Sequence, residues 1–175
     1  MSGEVALACE ISESCRCHPG KRQHAAVVAA GREVDGERVL VDLNFYEHPR
    51  GAGAWLARMW EKHDPVAVVI DPKSQAVTLL HPLAEAGVLV TEPRTEDVVS
   101  AHGEFLDLVR DGLLAHLSQE PLTAAVKAAQ QRPLAGAQAW ERRLVVDQSP
   151  LVAATLACWA FRRWEELATP SVWAI

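Results

Sequence analysis

Three carboxylates, Glu10, Asp71 and Asp147, stand at the borders of apolar stretches. Glu10 follows Val5-Ala6-Leu7-Ala8-Cys9, and Asp71 follows Val66-Ala67-Val68-Val69-Ile70. Asp147 precedes Ser149-Pro150 and a long apolar run. Acids at the ends of buried strands and at the start of a helix can converge in space although they are distant in sequence. Converging carboxylates repel unless a cation sits between them, and hard oxygen ligands suit Mg²⁺ or Mn²⁺. Paired divalent ions held in this way hydrolyse phosphodiester bonds.

The elements that must position these acids follow from the apolar patterning. Residues 5–9 and 25–30 are short apolar runs that read as strands, with a third strand at 38–43. Gly31 and Gly36 lie in the connection between the last two, so the three strands are expected to form an antiparallel meander. Residues 54–63 have helical spacing, with Trp55, Leu56 and Met59 on one side, and Asp64-Pro65 ends that helix. Residues 66–70 are apolar and rich in β-branched side chains, which predicts a central strand buried on both faces and parallel to a neighbour.

A helix over 74–86 with Gly87 at its C-terminal end follows, shortened or kinked by His81-Pro82. A short strand is expected at 88–90. A helix is expected over 95–117, capped by Thr95 and broken near Gly103 and Gly112. Another helix covers 122–131, residues 132–136 form a break, and a short strand covers 139–146. Ser149 as N-cap with Pro150 behind it opens the last helix, over 151–167. The order predicts an α/β fold: a mixed sheet with a meander at one side and helices packed on its faces. Residues 1–168 are read as one domain and 169–175 as a tail.

The chain has 175 residues, 49% hydrophobic and 23% charged, enough for one domain with a substantial core. No apolar run approaches the roughly 20 residues of a membrane helix, and the N-terminus lacks a basic-then-apolar leader pattern. No membrane association is expected, and a cytoplasmic location is. Four cysteines without a leader read as free thiols. Cys15-Arg16-Cys17-His18 is a weak zinc motif, lacking Cys-x₂-Cys spacing and a second ligand cluster. The absence of a Gly-x₄-Gly-Lys-Ser/Thr loop argues against a P-loop ATPase. The net charge of −6 argues against tight nucleic-acid binding by the chain alone.

The C-terminal third carries a sharper signal. Arg132-Pro133-Leu134-Ala135-Gly136-Ala137-Gln138-Ala139-Trp140, then Arg142-Arg143, then Asp147-Gln148-Ser149-Pro150-Leu151-Val152-Ala153-Ala154-Thr155-Leu156-Ala157 resembles the end of the large-terminase nuclease domain of tailed phages of actinobacteria. Val68-Val69-Ile70-Asp71-Pro72 is similar to that family's second acidic strand. Ala8-Cys9-Glu10-Ile11-Ser12-Glu13 sits where the family carries Asp-x-Ser-x-Asp. The resemblance covers nearly the whole chain. It implies a ribonuclease H-like fold and an endonuclease that cuts concatemeric phage DNA when packaging starts and ends. It also implies Glu10, Asp71 and Asp147 as the metal-binding acids, with two Mg²⁺ or Mn²⁺ ions as cofactors and double-stranded DNA as substrate. The implied partners are a terminase ATPase domain, a small terminase subunit and a portal, in the host cytoplasm.

One departure stands out: the first acid is Glu10 rather than Asp, and its extra methylene alters reach where Mg²⁺ demands near-octahedral geometry. Glu13 is a further possible ligand. In the expected chemistry one ion activates a water and the other stabilises the leaving 3′-oxygen. Glu10 and Asp147 would hold one ion, with Asp71 shared or facing the other. Lys73, Arg132, Arg142 and Arg143, and beside them Lys127, are the cations nearest the acidic motifs and are expected to meet DNA phosphates. His102 and His116 are weaker candidates for proton transfer, and Asp97 and Asp107 read as solvated. The tryptophans read as core. Two alternatives remain within this reading: a structure-specific nuclease like the Holliday-junction resolvases, and a degenerate domain kept for protein contacts in a packaging motor.

Overall fold

Short, β-rich apolar runs build a single six-stranded sheet. The computed structural model describes residues 4–13, 23–34 and 36–168, except the side chains of residues 167 and 168. The possible zinc motif and the 169–175 tail lie outside the described residues. Strands β1 (Val5–Ile11), β2 (Ala25–Arg32) and β3 (Val39–Glu47) form the antiparallel meander. β4 (Ala67–Val69) pairs parallel with β1 on one side and with β5 (Val90–Thr91) on the other. It is therefore the interior parallel strand its composition called for. β6 (Leu114–His116) adds parallel to β3, giving the order β5-β4-β1-β2-β3-β6.

Each face of the sheet buries its own core. On one face, alternate residues Ala6, Ala8, Ala26, Val28 and Val41 pack against α3 (Thr95–Arg110), α4 (Glu120–Ala128) and α5 (Ser149–Ala168). On the other, Leu7, Cys9, Val27 and Val68 meet α1 (Ala52–His63), α2 (Leu80–Glu85) and the 3₁₀ turn Gln75–Leu79 before it. Helix α5 crosses β1 and β2 with α3 and α4 against its outer side. Residues 149–161 are consequently buried all round, which explains an apolar run without a polar stripe. Ala153, Ala154 and Ala157 let it approach the sheet closely. No helix among the described residues is long and apolar enough to cross a membrane.

The helix expected over 74–86 is split into the 3₁₀ turn and α2, and Ser149, expected as the cap of the last helix, is its first residue, with a hydroxyl that has no hydrogen-bond partner among the described residues. Three further departures have a clear physical cause. The expected helix over 95–117 stops at Arg110. There Gly112, at φ 70°, takes the left-handed position of a C-terminal cap. Leu113 N–H reaches Leu108 O at 2.8 Å and Gly112 N–H reaches Val109 O at 3.2 Å, the paired bonds of a Schellman motif. The chain is thereby released into β6, while Gly103 stays inside α3. Second, the 132–136 break is a hairpin: β7 (Gln131–Leu134) and β8 (Ala137–Trp140) pair antiparallel. Ala135 at φ 48° and Gly136 at φ 81° form the two-residue loop, as a type I′ turn requires. The strand expected over 139–146 thus ends at Trp140, and α4 stops at Ala128 rather than at residue 131. Third, Thr95 is the first helical residue rather than the cap; Arg94 precedes it, and its N–H donates to Asp97 Oδ2 at 2.9 Å.

Candidate active site

Parallel pairing of β1 with β4 brings two acids level. Ala8 is in register with Val69. Two residues further along each chain, side chains return to the same face, placing Glu10 beside Asp71 at the C-terminal ends of adjacent strands. Both are buried, at 1% and 4% relative exposure. Asp71 is fixed by its own turn: Lys73 N–H donates to Asp71 Oδ1 at 2.9 Å. Ser74 N–H closes on Asp71 O at 3.0 Å. The end of a parallel strand, where the chain turns into a helical segment, is where open α/β sheets place their ligand sites.

A cation already lies at this pair. Arg142, from the segment joining β8 to α5, points its guanidinium inward with its side chain 12% exposed. Its Nη2 donates to Asp71 Oδ2 at 2.7 Å and stands 3.5 Å from Glu10 Oε2. Burial works against the charged guanidinium, but Glu10 and Asp71 outweigh it and hold Arg142 above its ordinary range. Burial pushes the Glu10 carboxyl up to about 7; Arg142 opposes this, and the Asp71 and Glu13 carboxylates add to it. The Ser74 side chain is near enough to Glu10 to draw its pKa partly back down, yet neither Glu10 oxygen has a hydrogen bond of good geometry among the described residues. Two buried carboxylates side by side have the hard-oxygen chemistry that a divalent cation takes.

Asp147 lies at the same end of the sheet in a different setting. Its Oδ1 accepts from Ser149 N–H at 2.9 Å at the start of α5. Its Oδ2 accepts from the Tyr46 hydroxyl at 3.1 Å and stands 3.5 Å from His24 Nδ1. The His24 and Tyr46 rings stack, with centroids 4.6 Å apart. Register ties the two halves together: Glu10 pairs with Ala26, and Ala26 pairs with Tyr46.

Tyr46 faces this side only because of a β-bulge. Val28 pairs with Leu43 while Val27 pairs with Phe45, so Asn44 is the extra residue. Val41 faces the α5 core, yet Phe45 faces the α1 core and Tyr46 packs back toward α5. A bulge re-aims side chains in this way. Its loosened backbone is held by Gln119, whose Oε1 accepts from Leu43 N–H at 2.9 Å and whose Nε2 donates to Leu43 O at 2.9 Å.

The structure therefore brings Glu10 and Asp71 together around Arg142 and keeps Asp147 with Tyr46 and His24. Among the described residues no group of three or more His, Cys, Asp or Glu side chains is close enough to hold a metal ion. Glu13 is half-buried and near enough to act on both Glu10 and Arg142. Of the cations expected to meet phosphates, Lys73 and Arg143 are exposed and Arg132 is half-buried on β7, whereas Arg142 is turned into the acid pair. Lys127 is exposed in the last turn of α4.

His102 is buried against Trp140 with ring centroids 4.5 Å apart, and burial lowers its pKa. It reads as a core residue. His116 is exposed on β6. Trp159 is buried, and Trp55, Trp60, Trp140 and Trp164 pack on the two cores. Sequence reasoning passed over His24, Tyr46 and Gln119. The strand pattern carried a signal for His24, since the start of a strand antiparallel to β1 lies at the Glu10 end. Tyr46 had none, because the bulge that turns it is invisible in the alternation.

No protein-family model matches the chain, and no curated protein matches it by sequence. Solved structures do. The HK97 bacteriophage large terminase superposes with a TM-score of 0.65 at 13% identity, over 90% of this chain and 39% of that one. The large terminase nuclease from thermophilic phage G20c with bound magnesium gives 0.57 at 15% identity, over 88% of this chain and 80% of that one. A single-residue variant of the nuclease domain from the large terminase subunit of bacterial virus Sf6, with manganese and beta-thujaplicinol, gives 0.53 at 15% identity, over 90% and 88%. The chain thus spans well under half the length of the HK97 protein. The mixed sheet, its strand order and these superpositions together establish that the chain has the ribonuclease H-like fold in the form found in large-terminase nuclease domains.

Proposed function

We propose that this chain is a divalent-metal-dependent endonuclease acting on double-stranded DNA, the nuclease unit of a phage large terminase that cuts concatemeric genomes during packaging in the host cytoplasm. The observation that carries this is the buried Glu10–Asp71 pair, level on adjacent parallel strands and closed by a cation, in a fold shared with terminase nucleases. The G20c and Sf6 neighbours were solved with magnesium and with manganese.

In this reading Glu10 and Asp71 hold the cation, and Asp147, poised by Tyr46, His24 and the first turn of α5, completes the ligand set. When bound, divalent ions supply an activated water and charge stabilisation for the leaving 3′-oxygen. The chain's own residues orient and exclude. The strand ends fix the two carboxylates, and burial keeps bulk water from them. Lys73, Arg132 and Arg143 offer cations to the backbone phosphates on either side, without reading sequence. Residues 1–168 act as one unit. An upstream ATPase, a small terminase subunit and a portal are the partners this role requires.

Cleavage of supercoiled plasmid in Mn²⁺, Mg²⁺ or EDTA tests the reading. Metal-dependent nicking or linearisation is expected, with a loss of at least ~10²-fold in Asp71→Ala and in Asp147→Ala. Undiminished metal-dependent cleavage by both variants would remove these residues from the site. The placement of Arg142 and the separation of Asp147 favour one competing reading, a domain that has lost its chemistry and serves contacts in the motor. Absence of cleavage together with absence of Mn²⁺ binding would select it.

A further inference from the structure

Among the described residues, Arg142 is the one at the acid pair whose charge has the sign of a metal ion, and it comes from a segment with no regular secondary structure. Residues 141–148 carry no strand or helix between β8 and α5. The guanidinium fills the position between the two carboxylates from which a cation would neutralise both. We propose that Arg142 is a resident counter-cation that must swing out of the Glu10–Asp71 pair before a divalent ion enters, so that its hold sets the metal affinity of the site. This deepens the nuclease reading and rests on it.

Three observations support this. First, the carboxylates are nearly inaccessible, so two bare charges there would repel in a poorly screened environment. In the chain without metal Arg142 supplies a positive charge that offsets them. Second, the fit is one-sided. Nη2 makes a 2.7 Å bond to Asp71 but stands 3.5 Å from Glu10 Oε2, which gains no hydrogen bond from it. A guanidinium with its donors fixed in a plane cannot serve both carboxylates well from this angle. A small divalent ion carries twice the charge and has no such fixed fork. Third, the exit needs only side-chain rotation and movement of an irregular segment, since Arg142 lies outside any strand or helix. Once out, the guanidinium remains beside the site as a positive group facing the substrate. Arg142 is thus a positioning residue in the metal-free state and a phosphate-binding residue in the loaded one.

The competition has a simple form. If the open, metal-competent arrangement is populated at 1–10% of molecules, the apparent dissociation constant is weakened by its reciprocal. Removing the guanidinium should then tighten Mn²⁺ binding by roughly 10- to 100-fold. The test is isothermal titration of EDTA-stripped protein with Mn²⁺, comparing wild type, Arg142→Ala, Arg142→Gln and Asp71→Ala. Thermal unfolding of each is recorded with and without Mn²⁺. The glutamine variant keeps much of the side-chain volume should the alanine variant not fold.

The expected result has two parts. Tighter Mn²⁺ binding appears in the Arg142 variants. Their unfolding temperature is lower than wild type in EDTA, with a larger upward shift in Mn²⁺. A merely structural arginine would lower the unfolding temperature without tightening the metal. Equal or weaker Mn²⁺ binding in the Arg142 variants, with wild type still binding at an Asp71-dependent site, would overturn the proposal and leave the nuclease reading standing. Absence of Asp71-dependent Mn²⁺ binding in every protein would overturn both.

Discussion

Glu10 is a carboxyl held where its charged form is costly. Burial pushes it up to about 7 from an ordinary 4.5. An acid with a raised folded pKa binds more protons folded than unfolded, so stability is fullest below about 4.5 and falls as pH climbs to about 7. At about 1.4 kcal/mol per pH unit this amounts to a loss of the order of 3 kcal/mol. Glu10→Gln removes the titration. Urea unfolding of EDTA-treated wild type and variant should show the variant gaining on wild type between pH 5 and pH 8, and a constant difference would contradict the shifted Glu10. Protons compete with metal for the same oxygens, so Mn²⁺ binding should weaken below about pH 7. The convergence of Glu10 and Asp71 was legible because each acid ends an apolar run that reads as a buried strand. Arg142 was legible only as a cation near a motif. Its bond to Asp71 spans 71 positions, and only the fold discloses that it faces inward.

At the scale of elements, the site depends on devices that break regular pattern. The bulge at Asn44 turns Tyr46 toward Asp147, and Gln119 bonds the N–H and C=O of the neighbouring Leu43 where β6 no longer runs beside β3. Gln119→Ala leaves Leu43 N–H and C=O without these partners, and should cost about 1–3 kcal/mol in chemical denaturation. It should also lower cleavage by loosening Tyr46, whereas wild-type stability in the variant would rule out the clamp. The hairpin carrying Arg142's approach has Ala135 at φ 48°, a conformation that costs an alanine more than an asparagine. Ala135→Asn is expected to raise stability by about 0.5–1 kcal/mol. The central strands and the long last helix were readable because their apolar runs exceed what loops carry. β6 was not. Three residues between a left-handed Gly112 and an exposed turn have no periodicity of their own, and β6 forms because β3 offers an open edge. The β7–β8 turn was missed because its first residue is alanine rather than the asparagine or glycine that marks such loops.

The whole molecule is an acidic body with a cation-bearing site at one end of its sheet. A net charge of −6 leaves little long-range attraction for DNA, so binding by the isolated chain should be weak. A dissociation constant near or above ~10⁻⁴ M at physiological salt is expected, weakening further as salt rises. Fluorescence anisotropy with a short duplex checks this. Tight, salt-insensitive binding would mean a recognition surface other than the phosphate-facing cations. The chain spans 39% of the HK97 large terminase. The ribonuclease H-like architecture was legible in the order of elements. The spatial gap between Asp147 and the Glu10–Asp71 pair was not, because motif order says nothing of separation. Anomalous X-ray scattering from crystals saturated with Mn²⁺ tests the cation site most directly. The expected result is an anomalous peak ligated by Glu10 and Asp71, with Asp147 drawn to it and Arg142 turned out toward solvent. Mn²⁺-saturated crystals with Arg142 still between the two acids, and no peak there, would contradict it.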